Sequence, residues 1–482
     1  MATLTTSDID EQHDAGDPPP APHPTTDRRR PLRLVLAGVA LAAVLLVAAA
    51  IGVSRSRSDG QDITTEADGE VIAASEVAES SNPNPADLDE LIESLQTRLE
   101  RIPNDDTAWA TLGLAYVQQA KATVNPSFYE LADGALAESL AVDTDGNFLA
   151  RAGLSALASA RHDFAEAKEQ AELGLEINEF SAILHGALSD AELQLGNYDA
   201  AFDAVDRMTE LRPDTTSFAR ASYVYELRGD IDLATRLMED ALEAAPTPAD
   251  RAFALFQLGE LSFNQGDPNT ALTLYNQARQ ESPDDPAALA GKARAEAALG
   301  QTETALDHYA ELVAVAPEPS YLVQYGELLE SLGRTEEAEA QYAVFQATQA
   351  LFEENGVLPD AAPTLFLAEH DDPQRALAAA EAGLEARPFL AMYDAYAWAL
   401  HQNGRDEDAL VAIDEALSLG YRNASYLYHS GMIKLALGDD DGARTDLQEA
   451  LDLNPYFDPL AAPIARRTLD ELGGSAASGT GD

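Results

Sequence analysis

The sequence predicts an all-α protein, a solenoid of about ten helix–turn–helix units preceded by a single transmembrane helix. Three observations lead there. A turn residue followed five positions later by alanine recurs along the chain at intervals of 33 to 38 residues. The stretch Leu34 to Val53 carries no charge. Cysteine is absent, which excludes disulfide staples, thiolate metal sites and cysteine catalysis.

Residues 1–33 are acidic and proline-rich (Pro18, Pro19, Pro20, Pro22, Pro24) without apolar periodicity, and read as a disordered tail. Residues 34–53, LVLAGVALAAVLLVAAAIGV, are long enough as a helix to cross about 30 Å of hydrocarbon. The run exceeds a secretory h-region and the tail before it is long for an n-region, so an uncleaved anchor is favoured over a leader. Arg28, Arg29, Arg30 and Arg33 precede the span, whereas Arg55 and Arg57 follow it. That asymmetry predicts a single-pass protein of the cell membrane, N-terminus cytoplasmic and repeat region extracytoplasmic. Residues 54–85, polar and closing with Asn82-Pro83-Asn84-Pro85, read as a flexible linker spanning about 30 Å.

The solenoid is expected over 86–455. Its repeating alanines are Ala167, Ala201, Ala234, Ala271, Ala305, Ala338, Ala376, Ala409 and Ala443. The turn residue is glycine at Gly196, Gly229, Gly266, Gly300, Gly333, Gly404 and Gly438, with His162 and Asp371 standing in elsewhere. Pro213, Pro246, Pro283, Pro317, Pro388 and Pro455 follow several of these alanines by twelve positions. Glycine permits a left-handed stop between two helices, and proline ends the second. Two such short helices cannot bury their apolar faces alone and must stack on neighbours.

These motifs resemble the tetratricopeptide repeat family over roughly residues 86–472. Trp109-x-x-Leu112-Gly113-x-x-Tyr116 matches the family's first-helix signature, and Leu255-x-x-Leu258-Gly259 with Ala271, Tyr275 and Pro283 matches most of one unit. The resemblance implies a right-handed superhelix whose first helices line a concave, protein-binding surface. The stretch from Leu91 to Ala120 is also similar to membrane-anchored bacterial repeat proteins, including the repeat subunit of cytochrome c maturation. An assembly or chaperone role of that kind is the alternative to a general scaffold.

Two units depart from the pattern. The first has extra residues before Ala132, with the turn Asn125-Pro126, and the unit around Ala376 has a short first helix containing Pro359 and Pro363. Residues 456–472 read as a capping helix and 473–482 as a disordered tail.

Helical angles place Phe253, Phe256 and Phe263 away from the packing stripe of Leu255 and Leu258. Tyr223 occupies the matching place one unit earlier, and Trp398, His401, Tyr428 and Met432 share that arc in the last two units. Their aromatic character predicts a groove for an apolar or aromatic peptide or protein segment. The bland alternative is burial against adjacent first helices.

A net charge of −54 argues against nucleic acid as a partner. The eight histidines show no close ligand spacing, Gly291-Lys292 lacks a phosphate-binding glycine loop, and acidic runs fall in turns. Hence no catalytic residue, metal, cofactor or small-molecule substrate is expected. An enzyme carried on the repeats is the least favoured reading.

Overall fold

The computed structural model describes residues 85–358 and 360–478, all within one compact unit, Ala67–Asp482. These residues form 22 α-helices and no strand. Helix α1 (Pro85–Arg101) precedes ten hairpins, and α22 (Ala461–Ser478) follows them. The first four hairpins pair α2 (Asp106–Ala122) with α3 (Phe128–Val142), α4 (Phe148–Ala160) with α5 (Phe164–Ile177), α6 (Ala182–Gln194) with α7 (Tyr198–Leu211), and α8 (Thr215–Leu227) with α9 (Ile231–Ala244). The middle three pair α10 (Pro248–Asn264) with α11 (Pro268–Glu281), α12 (Pro286–Ala298) with α13 (Thr302–Val315), and α14 (Pro319–Ser331) with α15 (Thr335–Glu354). The last three pair α16 (Ala361–His370) with α17 (Pro373–Ala386), α18 (Leu390–Gln402) with α19 (Asp406–Ala416), and α20 (Ala424–Ala436) with α21 (Asp440–Leu453).

The local signals act as the sequence predicts. The turn glycines adopt left-handed backbone, for example φ 73° at Gly196 and 79° at Gly438. His162 is forced into the same region at φ 61°, whereas Asp371 at φ −136° closes its turn differently. Each of the six prolines stands two residues beyond the last turn of a second helix. The acidic turns are helix caps. Asp285 accepts from the Ala288 amide at 3.1 Å and Asp439 from that of Gly442 at 3.0 Å.

Packing explains the Leu-Gly pair. The fully buried ring of Tyr275 on α11 occupies a slot that a Cβ on Gly259 of α10 or Gly291 of α12 would close. Leu136 on α3 fills the equivalent space over Gly113 and Gly153. A large knob therefore locks its own hairpin to the next, and Ala271 and Ala278 are small because the helices nearly touch there.

A second set of contacts joins hairpins far apart in sequence. Leu358 donates its amide to the Arg161 carbonyl at 3.0 Å. The Arg387 guanidinium donates to Gln194 and, at 2.7 Å, to Asp360. Asn454 donates to the Phe263 carbonyl at 3.0 Å, and Gly229 abuts the carbonyl of Gly420. Apart from the Arg387–Asp360 contact, which joins neighbouring loops, the turn inside one hairpin meets in each case the loop that follows the hairpin five units later. Between them Leu193, Val205 and Val224 form one core with Phe389, Leu390 and Ile413. Each such side chain contributes about 1.5–3 kcal/mol against roughly 0.5–1.5 kcal/mol per hydrogen bond, so the apolar part dominates this seam.

The expected irregularities have definite forms. The extra residues of the first unit make the loop 123–127, with Val124 at φ 51°. Helix α15 runs for 20 residues and α16 for only 10. The last helix begins at Ala461, later than the expected 456, because Asp458 caps it by accepting from the Leu460 amide at 2.7 Å. It continues to Ser478, so the segment from 473, expected to be a tail, is helical that far. The expected transmembrane helix at 34–53 lies outside the described residues. Among those described, no helix is long and apolar enough to cross a membrane.

A candidate binding cleft lined by first helices

Helices α8 and α10 each turn one face to stacking and another to open space. On α8, Ala221 and Val224 are buried, while Ala219, Tyr223 and Glu226 line a cleft of about 480 Å³. On α10, Ala252, Leu255 and Leu258 are buried, while Phe253, Gln257 and Glu260 line the same cleft. In both helices the lining positions recur at four and seven residues, one continuous stripe. Gln118 and Lys121 of α2 and Asp190 of α6 complete the wall.

The charges in this wall are largely committed to one another. Arg220 grips Asp190 with both a 2.9 Å contact from Nη2 and contacts of 3.0 and 3.1 Å from Nε. Glu260 accepts from the Tyr275 hydroxyl at 2.6 Å and pairs with Arg294. The Lys121 amine is held below its ordinary value by burial and by Arg220, with Asp190 pulling the other way. Burial pushes Glu226 up to about 7, reinforced by Glu260 and opposed by a hydrogen bond with Asn264. Tyr223 keeps 39% of its surface accessible, yet enclosure by the surrounding protein drives its phenol far above the usual value. The cleft thus offers two aromatic faces, glutamine amides and neutralised charge pairs. Such a lining suits an extended polypeptide better than a single strongly charged group.

The predicted groove residues divide. Tyr223 and Phe253 line the cleft. Phe256 is half-buried behind it, its ring 5.9 Å from Tyr275. Phe263, 2% exposed, belongs to the core, with the Arg294 guanidinium 4.3 Å from its ring. Trp398 and Tyr428 are also core residues, 5% and 4% exposed. Trp398 stacks on His429 at 4.2 Å and meets the Tyr428 ring at a tilt, and Phe457, in the loop before α22, closes over Tyr428. Met432 packs on that cluster, and His401 is half-buried with Nδ1 2.6 Å from Asp406. Burial takes Phe263, Trp398 and Tyr428 out of the expected groove. Adjacent first helices and the capping segment cover an arc that stays open at Tyr223 of α8 and Phe253 of α10.

Gln118, Lys121 and Gln257 were not singled out by sequence. The stripe Phe253-Gln257-Glu260 offered a signal for the third, but the first two reach the cleft from a hairpin three units away. The buried pair of His429 and Asp394, 2.7 Å apart, was missed as well. Burial lowers that imidazole, but the Asp394 charge and hydrogen bond outweigh it and leave it above its ordinary value.

Three segments, residues 262–323, 223–286 and 424–457, match family models described as tetratricopeptide repeats. These matches support the tetratricopeptide assignment. No curated protein matches the chain. Similar solved structures include a tetratricopeptide repeat protein from Parabacteroides merdae, 19% identical over 54% of this chain and 98% of that one, TM-score 0.32. Pseudomonas aeruginosa pilF is 16% identical over 47% of this chain and 96% of its own, TM-score 0.34. The APC/C hetero-tetramer Cut9-Hcn1 is 15% identical over 83% of each chain, TM-score 0.40.

Proposed function

We propose that this protein is a membrane-tethered repeat scaffold that captures an extended peptide or protein segment in the cleft between α2, α6, α8 and α10. It acts by presenting surface, not by catalysis. The observation that carries the reading is the aromatic and amide stripe of Tyr223, Phe253 and Gln257, set on helix faces that the stacking does not use. The uncharged run Leu34 to Val53 and the arginines before it support anchoring with the repeats on the outer side. Tethering raises the effective concentration of the cleft near membrane partners.

A photo-crosslinking residue at Gln257, activated in native membranes and followed by mass spectrometry, tests this reading. One or a few discrete adducts are expected, lost on Tyr223→Ala without a change in helical circular dichroism. Adducts that persist in Tyr223→Ala would overturn the cleft as the binding site. A haem-handling partner among them would turn the reading toward the assembly role. For topology, Ser58→Cys introduces a lone thiol into a chain with none. Labelling by an impermeant reagent on intact cells is expected, and protection despite normal expression defeats the outward orientation.

A further inference from the structure

The short helix α16, an irregularity in the repeat pattern, ends in Glu369 and His370 beside Glu327 of α14. One donor atom from each of the three lies within 4.8 Å of the others. The His370 side chain is 9% exposed, and its Nε2 points between the carboxylates, 3.8 Å from Glu327 and 3.9 Å from Glu369. That nitrogen is buried and has no hydrogen-bond partner among the described residues. Its gaps to both carboxylates are too long for hydrogen bonds. Two ligands of one tetrahedral ion stand about 3.4 Å apart, so a small side-chain adjustment closes the set around a metal.

The surroundings fit the same occupant. The other ring nitrogen, Nδ1, faces Glu330 at 3.5 Å, and Glu330 is itself held by the Tyr342 hydroxyl at 2.9 Å. A carboxylate behind the imidazole is the usual device that fixes a metal-binding histidine with its far nitrogen free to ligate. Tyr342 and Phe366 rings at 4.7 and 5.0 Å hold the imidazole plane. Asp458 adds a further negative charge to the field on Glu327 and Glu369. Both Glu369 and His370 also sit at a helix C-terminus, where the backbone dipole repels carboxylate and attracts a cation. Glu327, Glu330, Glu369 and Asp458 gather their like charges around His370, and a divalent ion relieves that repulsion.

From this geometry we infer that Glu327, Glu369 and His370 form a site for one divalent transition-metal ion, with Glu330 as a positioning residue. One imidazole and two carboxylates select an ion of the zinc type over calcium or magnesium. A metal there would clamp the hairpin of α14 and α15 to that of α16 and α17, beside the seam.

The test is titration of the full-length chain in detergent with Zn²⁺, in excess Mg²⁺ to fill weak surface carboxylate sites. One ion per chain is expected, with a Zn²⁺-dependent rise in Tm. Co²⁺ in the same site should give visible bands of a nitrogen- and oxygen-ligated ion. His370→Gln and Glu327→Gln should each weaken Zn²⁺ binding by about 100-fold or more, and Glu330→Gln by roughly 10-fold. Glu327→Gln removes a repelling charge, so without metal it should melt no lower than the wild type, which controls for folding. Absence of stoichiometric binding and of the Tm rise in the wild type overturns the site. So does undiminished binding in folded Glu327→Gln or His370→Gln.

Discussion

The same helical arc has opposite fates in the middle of the solenoid and near its C-terminus. In α8 and α10 it opens on the cleft, and Tyr223 keeps 39% of its surface accessible. In α18 and α20 it holds Trp398 and Tyr428 at 5% and 4%. The residue types are alike, and the covering differs. Rings of neighbouring first helices meet at 4.2–5.7 Å near the C-terminus, and Phe457 seals them. Position along a superhelix, rather than aromatic character, decides between groove and core.

The largest effect that would break this comparison is a stability difference between its two regions. Trp398→Ala should cost about 3–5 kcal/mol, as for other buried large-to-alanine changes. Tyr223→Ala should stay within about 1 kcal/mol, because its partner side is open. Urea denaturation of both variants measures it. Equal losses would place the two rings in equivalent environments and remove the distinction.

The seam sharpens the contrast further. An isolated repeat array is quasi-one-dimensional, each unit feeling only its neighbours. Here Arg387 and Gln194, 193 residues apart, are hydrogen-bonded, so units in the middle and near the end are coupled directly. Gly229 and Gly300 have the same left-handed backbone, φ 76° and 75°. A Cβ on Gly300 meets nothing within 4 Å, whereas one on Gly229 would stand 2.5 Å from the Gly420 carbonyl oxygen. Gly300→Ala should therefore cost about 1–2 kcal/mol for backbone strain alone. Gly229→Ala should cost roughly 1–3 kcal/mol more, because the seam must part. Hydrogen exchange should show protection lost around both 193–227 and 389–426 in Gly229→Ala only. Loss confined to one side would mean the seam carries no coupling.

Most of the fold was legible because its causes are local. Gly196 or Pro213 acts within a few residues, and the interval between equivalent alanines repeats at the scale of one hairpin. The seam was not legible, since nothing in the neighbourhood of Gly420 or Arg387 marks a partner some 190 residues away. The site was half legible for the same reason. Helical angles alone separate Tyr223 from the stacking face, but they cannot say that Phe457 lies over Tyr428. Nor could ligand spacing reveal Glu327 beside His370, because those residues meet only when two hairpins stack.

Protonation distinguishes the two regions by the smallest effect. Glu226, in the cleft wall, is pushed up to about 7 by burial from an ordinary value of 4.5. Between those values the folded state binds more protons than the unfolded, so this group makes stability fall as pH rises through that window. His429, in the aromatic block, is raised above 6.5 by Asp394 against the pull of burial. It also favours the folded state when protonated, but its contribution is complete below pH 6.5 and is lost as pH rises through the higher folded value. The sign is shared and the windows differ. Glu226→Gln should therefore flatten the stability curve below about pH 7 and gain on the order of 1 kcal/mol at pH 8. His429→Gln should change the slope above pH 6.5 and leave the lower limb as it is. Urea midpoints at half-unit pH steps measure both, and a Glu226→Gln curve parallel to the wild type across pH 4.5–7 would mean the cleft wall does not hold that carboxyl in a desolvated place.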